Sequence, residues 1–146
     1  MRAYVHPVTD PNANLEIALG EKAHRRIEIK NFGVTPASDV FSLGNIAIRE
    51  FPLIGELPAI PLRTDFSRTV IPPGETHEAA LGSAQAISVN EWESVEAGEA
   101  RLYMYGIIRY RDAFGQNRET KFRLMSSDPE LGPIRLIYCP TGNEAS

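Results

Sequence analysis

The sequence predicts an all-β fold, an immunoglobulin-like antiparallel β-sandwich of about eight or nine short strands. Apolar and polar residues alternate with a period of two, as in "HRRIEIKN", where Ile27 and Ile29 share one face. Eleven glycines and eleven prolines separate the alternating segments and supply the turns. Only one short segment, near residues 89–96, has the pattern of a helix.

The bulk properties fit a small domain. The 146 residues suit a single domain, residues 1–146, with a last strand near 134–139 and a tail that frays from about residue 140. The net charge of -4 argues against a general nucleic-acid binder, which needs a basic face. Cys139 is the only cysteine, so no intrachain disulfide forms. The chain contains no transmembrane-length apolar run and no signal-peptide pattern.

Alternation begins at the first residues. "MRAYVHPV" predicts a strand with Ala3 and Val5 on its inner face, and "NLEIAL" predicts another with Leu15, Ile17 and Leu19 on one face. A start directly in a strand suits either a natural N terminus or a chain cut from a longer protein.

The stretch "NFGVTPASDV" predicts an irregular crossing from one sheet to another. Asn31 ends a strand, and Gly33 is expected to take a positive φ. Pro36 interrupts ladder pairing, and Asp39 can bond its own downstream backbone. The next strand is expected to begin at Val40.

A proline-rich segment, "FPLIGELPAIPLRTDF", follows that strand and predicts a long connection over residues 51–66. Its apolar residues Ile54, Leu57, Ile60 and Leu62 are expected to lie partly on the sheet. "LPAIPLR" also matches a PxxPxR polyproline ligand, but so short a match is expected often by chance.

The helix signal is specific. Ser88 and Glu91 have capping-box spacing, Trp92 and Val95 share a face, and Gly98 fits a helix end. A second local signal is the tight turn predicted at residues 112–115, "DAFG".

That turn predicts a β-hairpin and its register. Arg109 is expected to face Glu119 as a cross-strand charge pair, and Gly106 to face Phe122, whose ring covers the glycine. Met104 is expected opposite Leu124 on the inner face.

No residue pattern predicts catalysis, a cofactor or a metal. His6, His24 and His77 lack ligand spacing such as HxH or HExxH. Cys139 ends the apolar segment "LIYC", which favours a small buried side chain over a nucleophile. GxSxG and glycine-rich phosphate loops are absent from the sequence.

Six basic residues crowd into the hairpin of an otherwise acidic chain. One interpretation is a patch for an anionic partner, such as a lipid surface, a cell-wall polymer or an acidic protein. The other is a solvated sheet face whose charges pair with Glu119 and deter edge-to-edge association. Tyr103, Tyr105 and Tyr110 on the same strand fit an interface or plain strand alternation. The basic residues are Arg101, Arg109, Arg111, Arg118, Lys121 and Arg123.

The chain contains the segments "KNFGVTPASDV", "IPPGE", "GIIRYRDAFGQNRETKFRL" and "YCPTGNEAS". Together they resemble a group of uncharacterised bacterial proteins over about residues 2–144. The resemblance implies an extracytoplasmic immunoglobulin-like domain tethered to a membrane through a segment outside this chain. It assigns no catalytic residues. The matching residues are Asn31, Gly33, Thr35, Pro36, Ala37, Val40, Tyr110, Asp112, Phe114, Gly115, Thr120, Phe122, Cys139, Gly142 and Asn143.

We therefore expect a non-catalytic interaction or structural module outside the cytoplasm, without cofactors. Its expected partner is an unidentified protein or an anionic envelope component, and no specific nucleic acid. Two alternatives stay open: a small hydrolase or carbohydrate-active domain using two carboxylates, and a cytosolic subunit that forms a homodimer through an edge strand.

Overall fold

A computed structural model describes residues 2–8, 17–61 and 67–146. It confirms the all-β sandwich, because nine strands within these ranges form two antiparallel sheets beside one short α-helix. The strands are β1 (Val5–Val8), β2 (Lys22–Asn31), β3 (Ala37–Glu50), β4 (Thr69–Ile71), β5 (Thr76–Ala86), β6 (Ala100–Arg111), β7 (Asn117–Ser126), β8 (Leu136–Tyr138) and β9 (Glu144–Ala145), and the helix α1 is Val89–Glu96.

The two sheets differ in size. The small sheet has the order β1-β2-β5, and the large sheet has the order β4-β3-β6-β7, with β8 and β9 on the other edge of β7. The chain crosses between sheets at residues 32–36, 72–75 and 87–99, the last crossing carrying α1. The crossing predicted after Asn31 is therefore confirmed.

The chemistry of that crossing differs from the prediction at Gly33. Gly33 does not have a positive φ. Glycine is needed there because the backbone of the N-terminal chain passes too close to leave room for a side chain. A Cβ there would lie 2.2 Å from the Arg2 carbonyl oxygen and 2.7 Å from the Ala3 Cα. The positive φ, 51°, belongs to Asp39. β3 also begins at Ala37, earlier than predicted.

The Asn31 side chain holds this crossing together. Its Oδ1 accepts hydrogen bonds from the backbone N–H of Tyr4 at 3.1 Å and of Gly33 at 2.9 Å. Its Nδ2 donates to the carbonyls of Thr35 at 2.8 Å and of Ile71 at 3.0 Å. Asn31 is fully buried, so one amide joins the chain before β1, the crossing and β4 of the opposite sheet.

The main core lies between the sheets and draws on both. Side chains of the large sheet also bind the backbone of β1. The Thr120 hydroxyl donates to the Val5 carbonyl at 2.8 Å, and the Tyr138 hydroxyl donates to the Pro7 carbonyl. The largest fully buried apolar side chains are Phe122, Ile29, Ile71, Leu102, Met104, Ile108, Leu124, Val5, Val40 and Val95.

A second apolar cluster covers part of the outer face of the large sheet. The connection after β3 lies over this face, so the sheet is buried on both sides there. Leu57 and Ile60 pack as predicted, whereas Ile54 is 82% exposed and Leu53 packs in its place. Leu62 lies outside the described residues. The buried members of this outer cluster are Tyr103, Tyr105 and Cys139.

The two local predictions are confirmed. The hairpin pairs Met104 with Leu124 and Gly106 with Phe122, and a Cβ on Gly106 would lie 3.0 Å from the Phe122 Cζ. The helix begins after the predicted capping box, in which the Ser88 hydroxyl accepts from the Glu91 N–H at 3.1 Å.

Two terminal predictions are wrong. Ile17 and the next two residues are outside any strand, while Leu15 lies beyond the described residues. The tail is paired rather than frayed, because β9 pairs with β7. The Asn143 side chain holds the connection between β8 and β9 against β7. It accepts a hydrogen bond from the Arg123 N–H at 2.8 Å and donates one to the Cys139 carbonyl at 3.0 Å.

The edge of β3 that faces β5 is capped by side chains. Asn45 Oδ1 accepts from the N–H of Ile46 at 2.9 Å and of Ala84, on β5, at 3.0 Å. The Arg49 guanidinium donates to the Ile48 carbonyl at 2.7 Å. Such caps satisfy backbone groups that would otherwise pair with another strand.

The Asn31 network predicts a large stability effect. We expect Asn31→Ala to lower the free energy of unfolding by about 3 kcal/mol or more, because it leaves four backbone groups without their partner. Urea unfolding at neutral pH measures this. Asn90→Ala, on the exposed face of α1, is the matched control and should change little; equal losses in the two variants would contradict the assignment.

Candidate functional site: an arginine groove at the hairpin end

The six basic residues of the hairpin do not share one exposed surface. Arg109 and Arg111 are exposed, and Arg118 is half-buried beside them. Lys121 is exposed but is paired in register with Glu144 of β9. Arg123 is half-buried against the C-terminal turn, and Arg101 is only 6% exposed.

Arg109, Arg111 and Arg118 meet at an open groove with a volume of about 420 Å³. The groove lies where β3 bulges: Ser38 pairs with Arg111 and Phe41 with Arg109, so β3 carries one more residue than β6. Bulges re-aim side chains and are common beside functional sites.

The bulge places Asp39 at the groove in a strained conformation. Its φ of 51° is unusual for a residue with a side chain, although Asp tolerates the left-handed region better than most. Strain of this kind persists where the surrounding structure holds it, often at functional sites. Asp39 is therefore positioned by the fold, since an unconstrained turn would relax.

The groove concentrates positive charge. Four arginines line it, Arg68, Arg109, Arg111 and Arg118, together with Asp39 and Glu119. Asp112 offsets the charge of Arg118, so the four cations face three side-chain carboxylates. Arg68 lies over the Phe41 ring, 4.7 Å from its centroid. A local excess of cations in a chain of net charge -4 attracts anions to this end.

The guanidinium groups of Arg109 and Arg118 are held by hydrogen bonds to neighbouring side chains. Arg109 Nε donates to Glu119 Oε2 at 2.9 Å, which confirms the predicted cross-strand pair. Arg118 donates from Nε to Asp112 Oδ2 at 2.9 Å and from Nη2 to Gln116 Oε1 at 3.0 Å. The Arg111 guanidinium makes no hydrogen bond or ion pair with the described residues, although the Arg111 carbonyl accepts from the Ser38 hydroxyl at 3.3 Å.

Asp112 anchors the turn that positions Arg118. Its buried carboxylate accepts from the backbone N–H of Phe114 at 2.9 Å and of Gln116 at 3.0 Å, in addition to Arg118. Burial alone would raise the pKa of this carboxyl. The hydrogen bonds from Gln116, Arg118 and Phe114 outweigh burial and hold its pKa below the ordinary value of 3.8.

The cysteine, tyrosine and histidine side chains whose pKa values are shifted by burial lie outside the groove. Burial raises the pKa of the Cys139 thiol to about 11, so at neutral pH the group is a thiol, as the apolar "LIYC" context predicts. Burial also raises the pKa of Tyr103 and Tyr105, which lie under the connection rather than on an exposed interface. His6 stacks on Tyr4, and burial lowers its pKa.

Two contributors to the groove escaped sequence reasoning. Arg68 is remote in sequence from the hairpin, and Phe41 carries no motif. Both reach the groove only because β3 pairs with β4 on one side and with β6 on the other. The local signal in this region is Asp39, which the sequence predicts as a turn residue and the structure places at the groove.

Comparisons with protein-family models, curated proteins and solved structures return no match for this chain. Across residues 2–8, 17–61 and 67–146, no three metal-ligating side chains cluster. None of the helices described has the length and apolar character needed to cross a membrane.

The Asp112 network predicts a pH-dependent contribution to stability. A carboxylate with a lowered folded pKa stabilises the fold above its unfolded pKa, and this stability is lost as pH falls through the folded pKa. Wild type should therefore exceed Asp112→Asn in unfolding free energy most at pH 7, with the gap closing below about pH 4. Urea unfolding from pH 7 to pH 2 measures the gap. A gap that is independent of pH would contradict the prediction, and the exposed Glu96→Gln is the control.

Proposed function

We propose that this protein is a non-catalytic interaction module whose arginine groove binds an acidic segment of a partner protein. The observation that carries the proposal is that four arginines line one groove of an acidic chain. Guanidinium groups pair with carboxylates through charge-assisted, often bidentate, hydrogen bonds.

The shape of the site favours an extended acidic segment over a membrane surface. Arg118 is half-buried, with 23% of its side chain exposed, and it lies in a concavity that a flat bilayer does not enter. The volume of about 420 Å³ lies within the range of ligand sites, about 300 to 1,000 Å³, and suits a few residues.

The tethering of Arg118 and Arg109 supports binding because it limits the entropy lost on association. Arg118 is already fixed by Asp112 and Gln116, so less side-chain freedom is lost when a ligand arrives. Arg111, exposed and unpaired within the described residues, is the group with the greatest capacity to gain an anionic partner.

A hydrolase is the second candidate, because the groove also holds two carboxylates, Asp39 and Glu119. The Arg109 pair occupies one oxygen of Glu119, which leaves Asp39 as the less encumbered group. General acid–base hydrolysis of glycosides uses two available carboxyl groups, so the arrangement supports binding better than hydrolysis.

The domain type and location are further parts of the proposal. The two-sheet wiring supports an immunoglobulin-like assignment, and the resemblance of the Asn31–Val40 motif to membrane-anchored bacterial proteins supports an extracytoplasmic, tethered domain. A cytosolic subunit that dimerises through an edge strand is the alternative, although the capped edge of β3 does not favour pairing there.

Binding is tested with a fluorescein-labelled oligoglutamate peptide by fluorescence anisotropy in 50 mM salt. We expect Arg111→Gln to weaken binding about tenfold, equivalent to about 1.4 kcal/mol, and higher salt to weaken wild-type binding. Arg26→Gln removes the same charge from an exposed site on the small sheet and should leave affinity unchanged. Equal losses would show non-specific attraction, and tighter binding of anionic vesicles would favour a membrane surface instead.

Location is tested by expressing the native gene product and fractionating the cells. The proposal expects recovery with the membrane fraction and release by detergent. Recovery only in the soluble cytosol would contradict the tether and favour the cytosolic alternative. Light scattering would then test that alternative, which expects the mass of a dimer.

A further inference from the structure

Arg101 lies on the outer face of the large sheet, away from the groove. It precedes the outer-cluster residue Tyr103 by two positions on β6, so both point to the same face. Only 6% of Arg101 is exposed. The Phe51 ring covers it, with the guanidinium carbon 4.1 Å from the ring centroid.

Two nitrogen atoms of this guanidinium lack hydrogen-bond partners. Nε and Nη1 are buried, and neither donates to any residue that the structure describes. The ring of Phe51 interacts with the positive charge, but a ring face does not accept hydrogen bonds directed in the guanidinium plane. Buried polar groups in native proteins are nearly always paired, and an unpaired buried charge is costly.

The surrounding charges make this position more positive. Arg49 is directly opposite Arg101 in the register of β3 and β6, a like-charge pair that destabilises a sheet. Burial raises the pKa of the Tyr103 hydroxyl, whereas the charges of Arg101 and of Arg123, on β7, act to lower it, so Arg123 is also close. Glu50, next to Arg49, points to the other face by strand alternation.

We propose that this outer face is an oxyanion site in which Arg101 supplies the buried donors. The ligand carries a carboxylate, phosphate or sulfate group, whose several acceptor oxygens match a guanidinium. Phe51, 41% exposed, forms the solvent side of the site. The site is separate from the arginine groove and does not depend on the function proposed for it.

The direct test is nuclear magnetic resonance of the arginine Nε–Hε signals in the wild-type protein. Inorganic phosphate, sulfate and acetate are titrated separately against chloride at constant ionic strength. We expect the Arg101 signal, assigned with Arg101→Lys, to shift saturably with at least one oxyanion. A flat response, or parallel shifts of all arginines, would overturn the proposal, because water or general screening would then account for the buried donors.

Comparison of the three anions distinguishes the sources of the ligand. A preference for acetate would indicate a carboxylate, such as that of a peptide, and a preference for phosphate or sulfate would indicate a tetrahedral anion. Either preference supports the oxyanion site.

Thermal unfolding gives an independent readout. At a phosphate concentration tenfold above its dissociation constant, the wild-type midpoint should rise by about 4 °C, and Arg101→Met should show no rise. Arg26→Met, at an exposed site on the small sheet, should keep the wild-type response. An equal rise in Arg101→Met would overturn the proposal, because the anion would then bind away from Arg101, and an equal loss in Arg26→Met would overturn it as a non-specific charge effect. If Arg101→Met does not fold, the resonance titration of wild type decides.

Discussion

The two sheets depend on one buried amide at the point where the chain first crosses between them. Asn31 uses both lone-pair directions of its oxygen and both protons of its nitrogen on backbone groups of Tyr4, Gly33, Thr35 and Ile71. No aliphatic side chain satisfies donors and acceptors together, and a carboxylate would repel the two carbonyls. The crossing therefore requires an amide, and the close passage of the N-terminal chain requires glycine two residues later.

Both proposed cationic sites lie on the large sheet, because its outer face is covered at one end and open at the other. Near one end, the connection after β3 buries Tyr103 and Tyr105, and the Tyr105 hydroxyl links Asn45 to the Pro58 carbonyl. This cover also leaves the Arg101 guanidinium among apolar and cationic neighbours. Near the hairpin end, the face is open and the bulge in β3 makes a concavity. The same sheet thus presents a covered cationic site and an open one.

The hairpin connects local turn chemistry to the groove. The Asp112 carboxylate fixes the turn through two backbone N–H groups and also fixes Arg118 through its third hydrogen bond. Because register follows from the turn, Arg109 and Glu119 face each other. The same few residues therefore set the turn and shape the proposed binding groove.

Features that depend on neighbours along the chain can be predicted from the amino-acid sequence alone. The period-two segments, the capping box at Ser88, the hairpin register and the sheet crossing after Asn31 all follow from local conformational preference and from the burial of one face. For the candidate site it provided Arg109, Arg111 and Arg118, but grouped them with Arg101, whose burial it did not reveal.

The contacts between distant segments of the sheets follow from three-dimensional packing and are not visible in the sequence. Arg68 and Phe41 join the groove through strand pairing between distant segments, Arg101 is buried by Phe51, and the tail pairs with β7 instead of fraying. Alternation specifies that a side chain points to one face or the other, but whether water or another segment covers that face is set by non-local packing. For this reason, the sequence pattern does not distinguish the buried Arg101 from the exposed Arg109 and Arg111 on the same strand.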